Sequence, residues 1–574
     1  MKISAYMIVK GIRYLKNYGL KEFFIRLREK SESEEISYKE WRDRHCVKAA
    51  ELEKQRLNSL QWKEKPLISV IIIADDSMIQ EVEQTKASLN KQSYQKYEVF
   101  VDNGIDLPSI LDNANGEFVA FIEAGDFISP DALFEIGKAI VYPENVKQSG
   151  VHWENNDMDV DIIYSDEDSV ASEDNNFCKP YFKPDFNIDL LRNHNYIEHI
   201  IAVRTTVARQ IKCSWGYDFV LQSVEKSQKI IHIPKVLYHA FDKEKFDDES
   251  SALEAHLTRC ELKGKIKLDG ECAGRQRYRI FYDREWIKKV QPLVSIIIPN
   301  KDEKLALKKC LDSIQESSYT NLEVIIVENN SVTESIKEFY EQIDDLYNIP
   351  IKIVKWSNDG GFNYSAINNY GGRYANGQYY VLLNNDVEII TRDWIEELLS
   401  ICVREDVAIV GTRLYYPDDT IQHSGIVVGI GGHVRGIAAN MLVGLERREN
   451  GYMCKANTIS DFSSVTAAFM MIKAEVFNQV GGLTEQLSVA FNDVDLCLKA
   501  RKEGYLVVYD PFVEAYHYES KSRGQEDTKE KVRRFQSEIE YMRTEWNDIM
   551  RYGDPYYNPN FTSIRTDYSI NGTL

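Results

Sequence analysis

Short apolar runs rich in β-branched residues alternate along the chain with longer stretches of helical periodicity. Helical stretches of this kind cover residues 303–317, 333–346 and 392–403. Strands that alternate with helices are typical of a parallel sheet covered by helices. The pattern therefore predicts an α/β fold, in which ligands bind at the carboxyl ends of the strands.

The same pattern occurs twice. The segment PLISVIII from Pro66 returns as PLVSIIIP from Pro292, YEVFVDNG returns as LEVIIVENN, and ANGEFVAFIEAGD returns as ANGQYYVLLNNDV. The offset between matching residues is 225 at Glu98 and 261 at Ala114, so the first copy lacks 36 residues of the second. Such self-similarity indicates a duplicated domain whose first copy has lost a strand, a helix and a glycine-rich loop.

Three apolar strands of the second copy run directly into polar side chains. The run YYVLL is followed by Asn384, Asn385 and Asp386, and the segments PNKD (299–302) and ENNS (328–331) follow two other strands. Turn formation explains any one of these segments. Three of them at strand ends favour a ligand site, because polar groups are not buried without a partner.

Composition excludes some classes of partner. The formal net charge is −20 and the pI is near 5.1, from 90 acidic and 70 basic residues. Clustered Lys and Arg bind phosphate backbones, so this balance argues against a nucleic-acid partner. The nine cysteines form no CxxC pair, which indicates reduced thiols in a cytoplasmic protein. No stretch reaches the roughly 20 apolar residues of a transmembrane helix.

Residues 1–30 depart from the acidic average. Eight lysines and arginines stand against two glutamates, interleaved with apolar residues at roughly helical spacing. A basic amphipathic helix suits an anionic membrane surface, so peripheral attachment to the inner face of the plasma membrane is one expectation. Docking of this helix on the next domain fits the pattern equally well, and both interpretations stay open.

Residues 292–524 resemble the family 2 glycosyltransferases, which have the nucleotide-sugar-binding fold called GT-A. The resemblance rests on VSIIIPN, VIIVENNS, GGFNYSAINNYG, VLLNNDVEI, TIQHSGIVVGIGG, FNDVDLCLKARKEGY and HYESKSRG, which follow in the family's order. It extends over both copies, from about residue 66 to residue 524. It implies an α/β protein with two tandem GT-A-like (Rossmann-like) domains, the first of them degenerate, and helical segments at both ends.

With this resemblance the 574 residues, too many for a single core, divide into five regions. They are a basic amphipathic then charged helical segment (1–65), a degenerate GT-A-like domain (66–240), a linker (241–290), a catalytic GT-A domain (291–524), and a C-terminal helix with its tail (525–574).

The resemblance assigns a divalent cation, Mn²⁺ or Mg²⁺, to the polar turn after YYVLL. Asp386 occupies the last place of the family's Asp-x-Asp motif, Asn384 stands at the first, and His517 matches a further metal ligand. A carboxylate and diphosphate oxygens are suitable ligands for these ions. A purely structural role at a strand edge remains the alternative for His517.

The same resemblance makes Asp493 the catalytic base that deprotonates the acceptor hydroxyl. Asn492 precedes it where many relatives have Glu, which puts the supporting role of that position in question. Asp495 cannot share a helical face with Asp493 and is expected to cap or brace. Thr466 and Ala467, in the segment SSVTAAFMM, match the acceptor side together with Asn492.

The resemblance also assigns the nucleotide sugar to strand-end polar groups, a glycine-rich wall and a basic clamp for the diphosphate. These residues are Pro299, Asn300, Glu328, Asn330, Gly360, Gly361, Asn363, Asn384, Asn385 and Arg523. Lys521 is expected to join Arg523 in the clamp. A solvated basic loop is the alternative for this pair.

The first copy departs from the family pattern at both chemical positions. Alignment of the copies puts Gly125 at the position of Asp386 and Gly216 at that of Asp493. We therefore expect residues 66–240 to be a scaffold or to bind the growing glycan. The alternative is a rearranged site built from Asp126, Asp166, Glu167 and Asp168.

Together these expectations describe an inverting, metal-dependent glycosyltransferase. It would move a hexosyl or deoxyhexosyl group from a UDP- or dTDP-sugar to a lipid-linked bacterial surface glycan of a cell wall or capsule. Two alternatives stay open, a non-catalytic glycan-binding scaffold and a bifunctional enzyme with two sites. The sequence leaves open the donor, the acceptor, the linkage and any homo-oligomer, and rhamnose is suggested only because similar proteins build rhamnose-containing polysaccharides.

Overall fold

Two compact units make up the protein in a computed structural model. The model describes residues 36–104, 107–146, 159–171, 176–241, 249–357, 362–431, 436–519 and 528–572. The first unit comprises Glu35–Phe281, Pro555–Phe561 and Ile570–Leu574. The second unit contains Tyr282–Asp554 and Thr562–Ser569.

The first unit is built around an eight-stranded sheet and a two-stranded hairpin. Its strands are β1 Ile68–Ile73, β2 Tyr97–Asp102, β3 Phe118–Glu123, β4 Phe127–Ile128, β5 Ile162–Val170, β6 Phe177–Tyr181, β7 Ile201–Arg204, β8 Ile230–Phe241, β9 Gly264–Cys272 and β10 Arg275–Tyr282. Its helices are α1 Tyr38–His45, α2 Ala49–Leu60, α3 Ile79–Leu89, α4 Leu107–Asn113, α5 Ala132–Val141, α6 Ile188–Leu191, α7 Thr205–Ala208, α8 Tyr217–Lys226 and α9 Ser250–Arg259. The sheet has the order β2-β1-β3-β7-β5-β8-β4, with β6 paired to β5.

The second unit has a ten-stranded sheet and a further two-stranded sheet, β18 with β19. Its strands are β11 Val294–Asn300, β12 Leu322–Glu328, β13 Ile351–Lys355, β14 Tyr379–Leu383, β15 Val387–Ile389, β16 Val407–Tyr415, β17 Ile421–His423, β18 Ile426–Val428, β19 Ala438–Asn440, β20 Ser460–Asp461, β21 Phe469–Lys473 and β22 Leu506–His517. Its helices are α10 Glu285–Val290, α11 Lys304–Gln315, α12 Glu334–Glu341, α13 Ile343–Leu346, α14 Tyr364–Gly372, α15 Trp394–Cys402, α16 Ala474–Gln479, α17 Asn492–Lys502, α18 Lys529–Glu545 and α19 Asn547–Tyr552.

The large sheet of the second unit is mixed, which corrects the expectation of a parallel sheet. Strands β11 to β14 pair in parallel, whereas β21 runs antiparallel to β14 and to β16, and β15 runs antiparallel to β22. An apolar run reports burial and carries no information on strand direction. The parallel strands still end at one edge, because Asn300 at the end of β11 pairs in register with Glu328 at the end of β12.

Both large sheets follow one strand order once β13 is set aside. The order β2-β1-β3-β7-β5-β8-β4 corresponds by position to β12-β11-β14-β21-β16-β22-β15. Strand β13 and helix α14 fall within the block that the sequence offsets predict to be missing from the first copy. An α/β architecture with a shared order is therefore present in both units.

A matching polar contact joins β1 to β2 in the first unit and β11 to β12 in the second. The hydroxyl of Ser69 donates to Glu98 Oε1, and that of Ser295 donates to Glu323 Oε1, each over 2.6 Å. The backbone N–H of Gly377 donates to Ser295 Oγ over 2.8 Å, and in the first unit the N–H of Gly116 donates to Ser69 Oγ. This close approach requires glycine, because a Cβ at Gly377 would lie 2.7 Å from the backbone nitrogen of Ser295.

Predicted helices agree with the structure, except that two of them are each divided into two helices. The stretches 303–317 and 392–403 correspond to α11 and α15, and 333–346 is divided into α12 and α13. The helix predicted within 525–550 is divided into α18 and α19 at Trp546. The indole Nε1–H of Trp546 donates to the buried carboxylate of Asp495 over 3.0 Å, which holds the ring inward at the break.

Two further expectations concern the chain as a whole. Across the part of the chain that the structure describes, no helix has the length and apolar character needed to cross a bilayer. The nine cysteines are all free. The basic segment 1–30, expected to bind a membrane or a domain, lies outside the described residues.

Substitution of Gly377 by Ala tests the close approach of the strands. The added Cβ would meet backbone atoms of Leu293 and Ser295 at 2.7 Å, so we expect the free energy of unfolding to fall by about 1–3 kcal/mol. Urea denaturation measures the change. The control is Gly372→Ala, where the nearest atom lies at 3.5 Å and no loss is expected. Equal stability of both variants would contradict the assigned packing.

Candidate active site

Asp386 and His517 meet where β14 and β22 end. The turn after β14 is anchored by the backbone N–H of Asn384, which donates to Ala468 O over 2.9 Å. Strand β15 pairs antiparallel with β22 and aligns Val387 with His517. This register brings His517 Nε2 to 3.2 Å from Asp386 Oδ1. The carboxylate is only 6% exposed, so water screens the pair weakly.

Gln422 fixes the tautomer of His517. The amide N–H of Gln422 donates to His517 O over 3.3 Å, which turns its Oε1 toward His517 Nδ1 at 2.7 Å. An oxygen accepts only from a protonated nitrogen, so Nδ1 carries the proton. Nε2 then faces Asp386 and the side-chain N–H of Asn384, which lies 3.2 Å away.

This donor set fits a divalent cation. A carboxylate oxygen and an imidazole nitrogen face each other over 3.2 Å, and both are ligand types for divalent metal ions. Histidine ligands usually donate their other N–H to a neighbouring acceptor, as His517 does to Gln422. The residues present therefore suit Mn²⁺ or Mg²⁺ at this position.

A directed chain of hydrogen bonds ties three strand ends together. Asn385 Nδ2 donates to Asn300 Oδ1 over 2.6 Å, Asn300 Nδ2 donates to the hydroxyl of Tyr340 over 2.7 Å, and that hydroxyl donates to Glu328 Oε2 over 2.7 Å. Burial, with the Glu328 carboxylate beside it, raises the pKa of Tyr340. The hydroxyl therefore remains a donor, and Asn385, Asn300 and Glu328 are held as one network.

The other predicted donor-site residues lie in different settings. Pro299 is half-buried in β11, and Asn330 is exposed with a φ of +56°. Asn363 caps α14, because its Oδ1 accepts the N–H of Ala366 over 3.0 Å. This capping use is a structural role that the sequence did not predict. Further members of the predicted set lie outside the described residues, namely Gly360, Gly361, Lys521 and Arg523.

Asp493 lies in the first turn of α17 with two backbone donors. The N–H of Val494 lies 2.9 Å from Oδ1, and that of Ala467 lies 3.3 Å from Oδ2. Burial raises the pKa of Asp493 above its ordinary value of 3.8, while these N–H groups limit the rise. A carboxylate held this way is a stronger base than an exposed aspartate.

Asn492 and Asp495 support the helix that carries Asp493. Asn492 Oδ1 accepts the N–H of Asp493 over 2.8 Å, so this residue braces the turn. Asp495 is fully buried and accepts the hydroxyl of Thr484 over 2.7 Å and the indole N–H of Trp546 over 3.0 Å. The bracing role predicted for Asp495 is confirmed.

One short segment connects the Asp386 side of the site with the Asp493 side. Ala468 O accepts the N–H of Asn384, and Ala467, next along the chain, donates its N–H to Asp493. The neighbouring Thr466 accepts the N–H of Ala468 at its hydroxyl over 3.3 Å. The structure therefore brings Thr466 and Ala467 between the two predicted carboxylates.

A comparison with protein-family models places part of this site in a known family. Residues 295–479 match the model of the family described as Glycosyl transferase family 2. This stretch is a domain of glycosyl transferase family 2. It contains Asp386 and the segment from Thr466 to Ala468, while Asp493 and His517 follow within the same unit.

Several known proteins are similar to the chain that carries this family 2 domain. The uncharacterized protein y4gI of Sinorhizobium fredii is 36% identical over 486 residues, which are 80% of this chain and 50% of that protein. The O-antigen biosynthesis protein RfbC of Myxococcus xanthus is 30% identical over 483 residues, which are 79% of this chain and 34% of that protein. The chain thus spans half or less of the length of these relatives.

A solved structure shows a more distant likeness. The mannosyltransferase PcManGT from Pyrobaculum calidifontis, in complex with GDP-Man and Mn²⁺, aligns over 41% of this chain and 58% of its own. The identity is 19% and the TM-score is 0.31, too low for residue-level correspondence.

Three residues of the family 2 site were not predicted. Tyr340 comes from helix α12, and Gln422 and His423 from β17. His423 is buried, its Nδ1 donates to Asn440 Oδ1 over 2.7 Å, and burial lowers its pKa to about 4. It therefore stays neutral and accepts the N–H of Thr466 at Nε2 over 3.4 Å. The motif TIQHSG was the available signal for the latter two residues.

The geometry does not support the rearranged site considered for the first unit. Its four acids are at most 4% exposed, and each accepts a hydrogen bond or ion pair inside the unit. The partners of Asp126, Asp166, Glu167 and Asp168 are respectively Tyr238, His232, Lys183 and His239. Carboxylates that are buried and held by partners in this way are typical of a structural network.

The raised pKa of Asp493 predicts a stability gain on its removal. A raised folded-state pKa favours the protonated carboxyl, so stability is lost as pH rises from 3.8 through the folded pKa. We expect Asp493→Asn to raise the Tm by about 2–4 °C at pH 7 and by less at pH 4.

Calorimetry at the two pH values measures this difference. The matched control is Asp495→Asn, which breaks the contacts to Thr484, Trp546 and Lys499 and should lower the Tm. A lower Tm for Asp493→Asn at pH 7 than for wild type would show that the carboxylate is stabilising.

Proposed function

We propose that the protein is an inverting, metal-dependent glycosyltransferase with one active site, in the second unit. The observation that carries the proposal is the segment from Thr466 to Ala468, which connects the Asp386–His517 pair with the buried carboxylate of Asp493. Such an arrangement supplies the two groups that sugar transfer from a nucleotide needs, a cation site and a base.

In this proposal Asp386 and His517 hold Mn²⁺ or Mg²⁺, which when bound neutralises the departing nucleoside diphosphate. The network of Asn385, Asn300 and Glu328 binds and orients the donor, a UDP- or dTDP-sugar. Carboxylate and amide groups at strand ends are suitable partners for ribose hydroxyls and base edges. Arg523 is proposed to contact the diphosphate.

Asp493 acts on the acceptor. Its carboxylate takes the proton of the acceptor hydroxyl as the hydroxyl oxygen forms a bond to the anomeric carbon, and the bond from that carbon to the diphosphate oxygen breaks. One displacement of this kind inverts the configuration. Burial, which raises the pKa of Asp493, makes it a stronger proton acceptor.

The acceptor is proposed to be a bacterial surface glycan, carried on a lipid. The similarity to an O-antigen biosynthesis protein supports this class of acceptor, as does the basic segment 1–30. Such an acceptor would place the protein in the cytoplasm, peripheral on the inner face of the plasma membrane. The shared strand order of the two sheets supports a tandem duplication in which the first unit is inactive.

Release of nucleoside diphosphate tests the proposal. Wild type would be assayed with UDP-, dTDP- and GDP-sugars, Mn²⁺ and a bacterial lipid extract. We expect Asp386→Ala and Asp493→Asn each to lower the rate at least ~100-fold, because each removes a chemical group from the reaction. The control is Asp344→Asn, an exposed acid on α13, which should keep the wild-type rate.

The outcomes separate the alternatives. Sugar transfer that persists in both variants would favour a second site and a bifunctional enzyme. No donor consumption by wild type, with glycan still bound, would favour a non-catalytic scaffold.

Gln422 provides a test of the cation site that does not depend on catalysis. Gln422→Leu removes the acceptor for His517 Nδ1, so the tautomer that presents Nε2 is no longer fixed. We expect the affinity for Mn²⁺, measured by electron paramagnetic resonance, to fall about 10–100-fold. The control is the exposed Gln479→Leu. Unchanged Mn²⁺ affinity in Gln422→Leu would contradict a role for His517 as ligand.

A further inference from the structure

A cavity of about 400 Å³ opens at the carboxyl ends of β1 and β3 in the first unit. Ile73 and Glu123, the last residues of these strands, lie on its wall. Sheets of this class bind ligands at this position, and the volume is in the range of small-molecule sites. None of the four acids of the rearranged site considered above is among its lining residues, so the cavity is a different feature.

Trp215 gives the cavity an aromatic wall. One face of its indole stacks on the buried ring of Phe121, with centroids 4.2 Å apart and an interplanar angle of 15°. The side chain is half-exposed and lines the cavity beside Gly216. A Cβ at Gly216 would meet nothing within 4 Å, so the backbone at this position borders open space. A supported, partly exposed indole is suited to the apolar face of a ring-shaped ligand.

Asn195 supplies an unused acceptor on the same wall. The residue is only 3% exposed and lines the cavity, and its Oδ1 has no hydrogen-bond partner among the described residues. A buried carbonyl oxygen without a donor is unfavourable. A ligand hydroxyl in the cavity would satisfy it.

The excess of carboxylates in the cavity lining disfavours the binding of phosphate groups. The cavity is lined by four carboxylates, of Asp75, Glu123, Glu198 and Glu249, and Arg275 is the one base among its described lining residues. Arg275 is itself paired with Glu167 and with Glu198, at 3.1 Å for the latter. This excess of negative charge repels a nucleoside diphosphate, whereas carboxylates accept hydrogen bonds from neutral hydroxyl groups.

We propose that this cavity is a binding site for a neutral saccharide, which stacks on Trp215 and donates a hydroxyl to Asn195 Oδ1. The site goes beyond the transfer reaction proposed for the second unit. It needs neither nucleotide nor metal, and it gives the first unit a function as a glycan-binding domain.

Ligand-observed saturation-transfer NMR on the full chain tests this proposal in EDTA without nucleotide. The probes are the methyl glycosides and neutral disaccharides of glucose, galactose, mannose, rhamnose and N-acetylglucosamine. We expect at least one probe to bind, and titration of that probe to show a loss of affinity of tenfold or more in Trp215→Ala. The control is Trp286→Ala, an indole that is 47% exposed outside the cavity and should leave binding unchanged.

A second variant separates loss of binding from loss of folding. Asn195→Leu replaces a side chain whose Oδ1 has no hydrogen-bond partner with an apolar group of similar size, so we expect an unchanged Tm together with the same loss of affinity. Binding of no probe, or binding that survives both Trp215→Ala and Asn195→Leu, would overturn the proposal. Neither result depends on sugar transfer, so the proposed function in the second unit is tested separately.

Discussion

The contact between Asp386 and His517 depends on burial and on backbone register together. Asp386 Oδ1 and His517 Nε2 lie 3.2 Å apart, and the surrounding strands keep them in place. The antiparallel register of β15 with β22 sets their separation, and Gln422 sets the protonation of the ring. The strands that hold Asp386 and His517 together leave both side chains ordered, as the proposed cation site requires. The mixed sheet, with β22 and β14 ending near each other, serves this arrangement.

The pKa of the second carboxylate, that of Asp493, is raised mainly by desolvation. Asp493 is destabilised as an anion by desolvation, and the N–H groups of Val494 and Ala467 offset part of that cost. Because Ala467 belongs to the segment that also anchors Asn384, a shift of this segment would move the base and the cation ligands together. The Asp386 side and the Asp493 side of the site are therefore linked through the backbone of this segment.

The sequence predicted the parts of the site that are defined by local pattern. Apolar strands that end in polar groups located Asn300, Glu328 and Asp386, and the spacing of two acids separated Asp493 from the bracing Asp495. Tyr340 was missed because its contact to Asn300 spans 40 residues and a tyrosine on an amphipathic helix is usually a packing residue. The direction of β21 was missed because apolar periodicity is the same for either direction. Tertiary contacts, which no local pattern encodes, decided both features.

The two units share a strand order, but their acidic side chains have different partners. In the second unit, the strand-end carboxylate of Asp386 lies beside His517 and that of Glu328 accepts from Tyr340. In the first unit, Asp166 and Glu167 are turned inward and paired, and Lys183 and Arg275, with His199, lower the pKa of Glu167 against the effect of burial. A unit with no remaining ligand would gain stability by filling its strand-end cavity with apolar side chains. The retained cavity, with an unpartnered Asn195 and a supported Trp215, is instead what selection for binding would preserve.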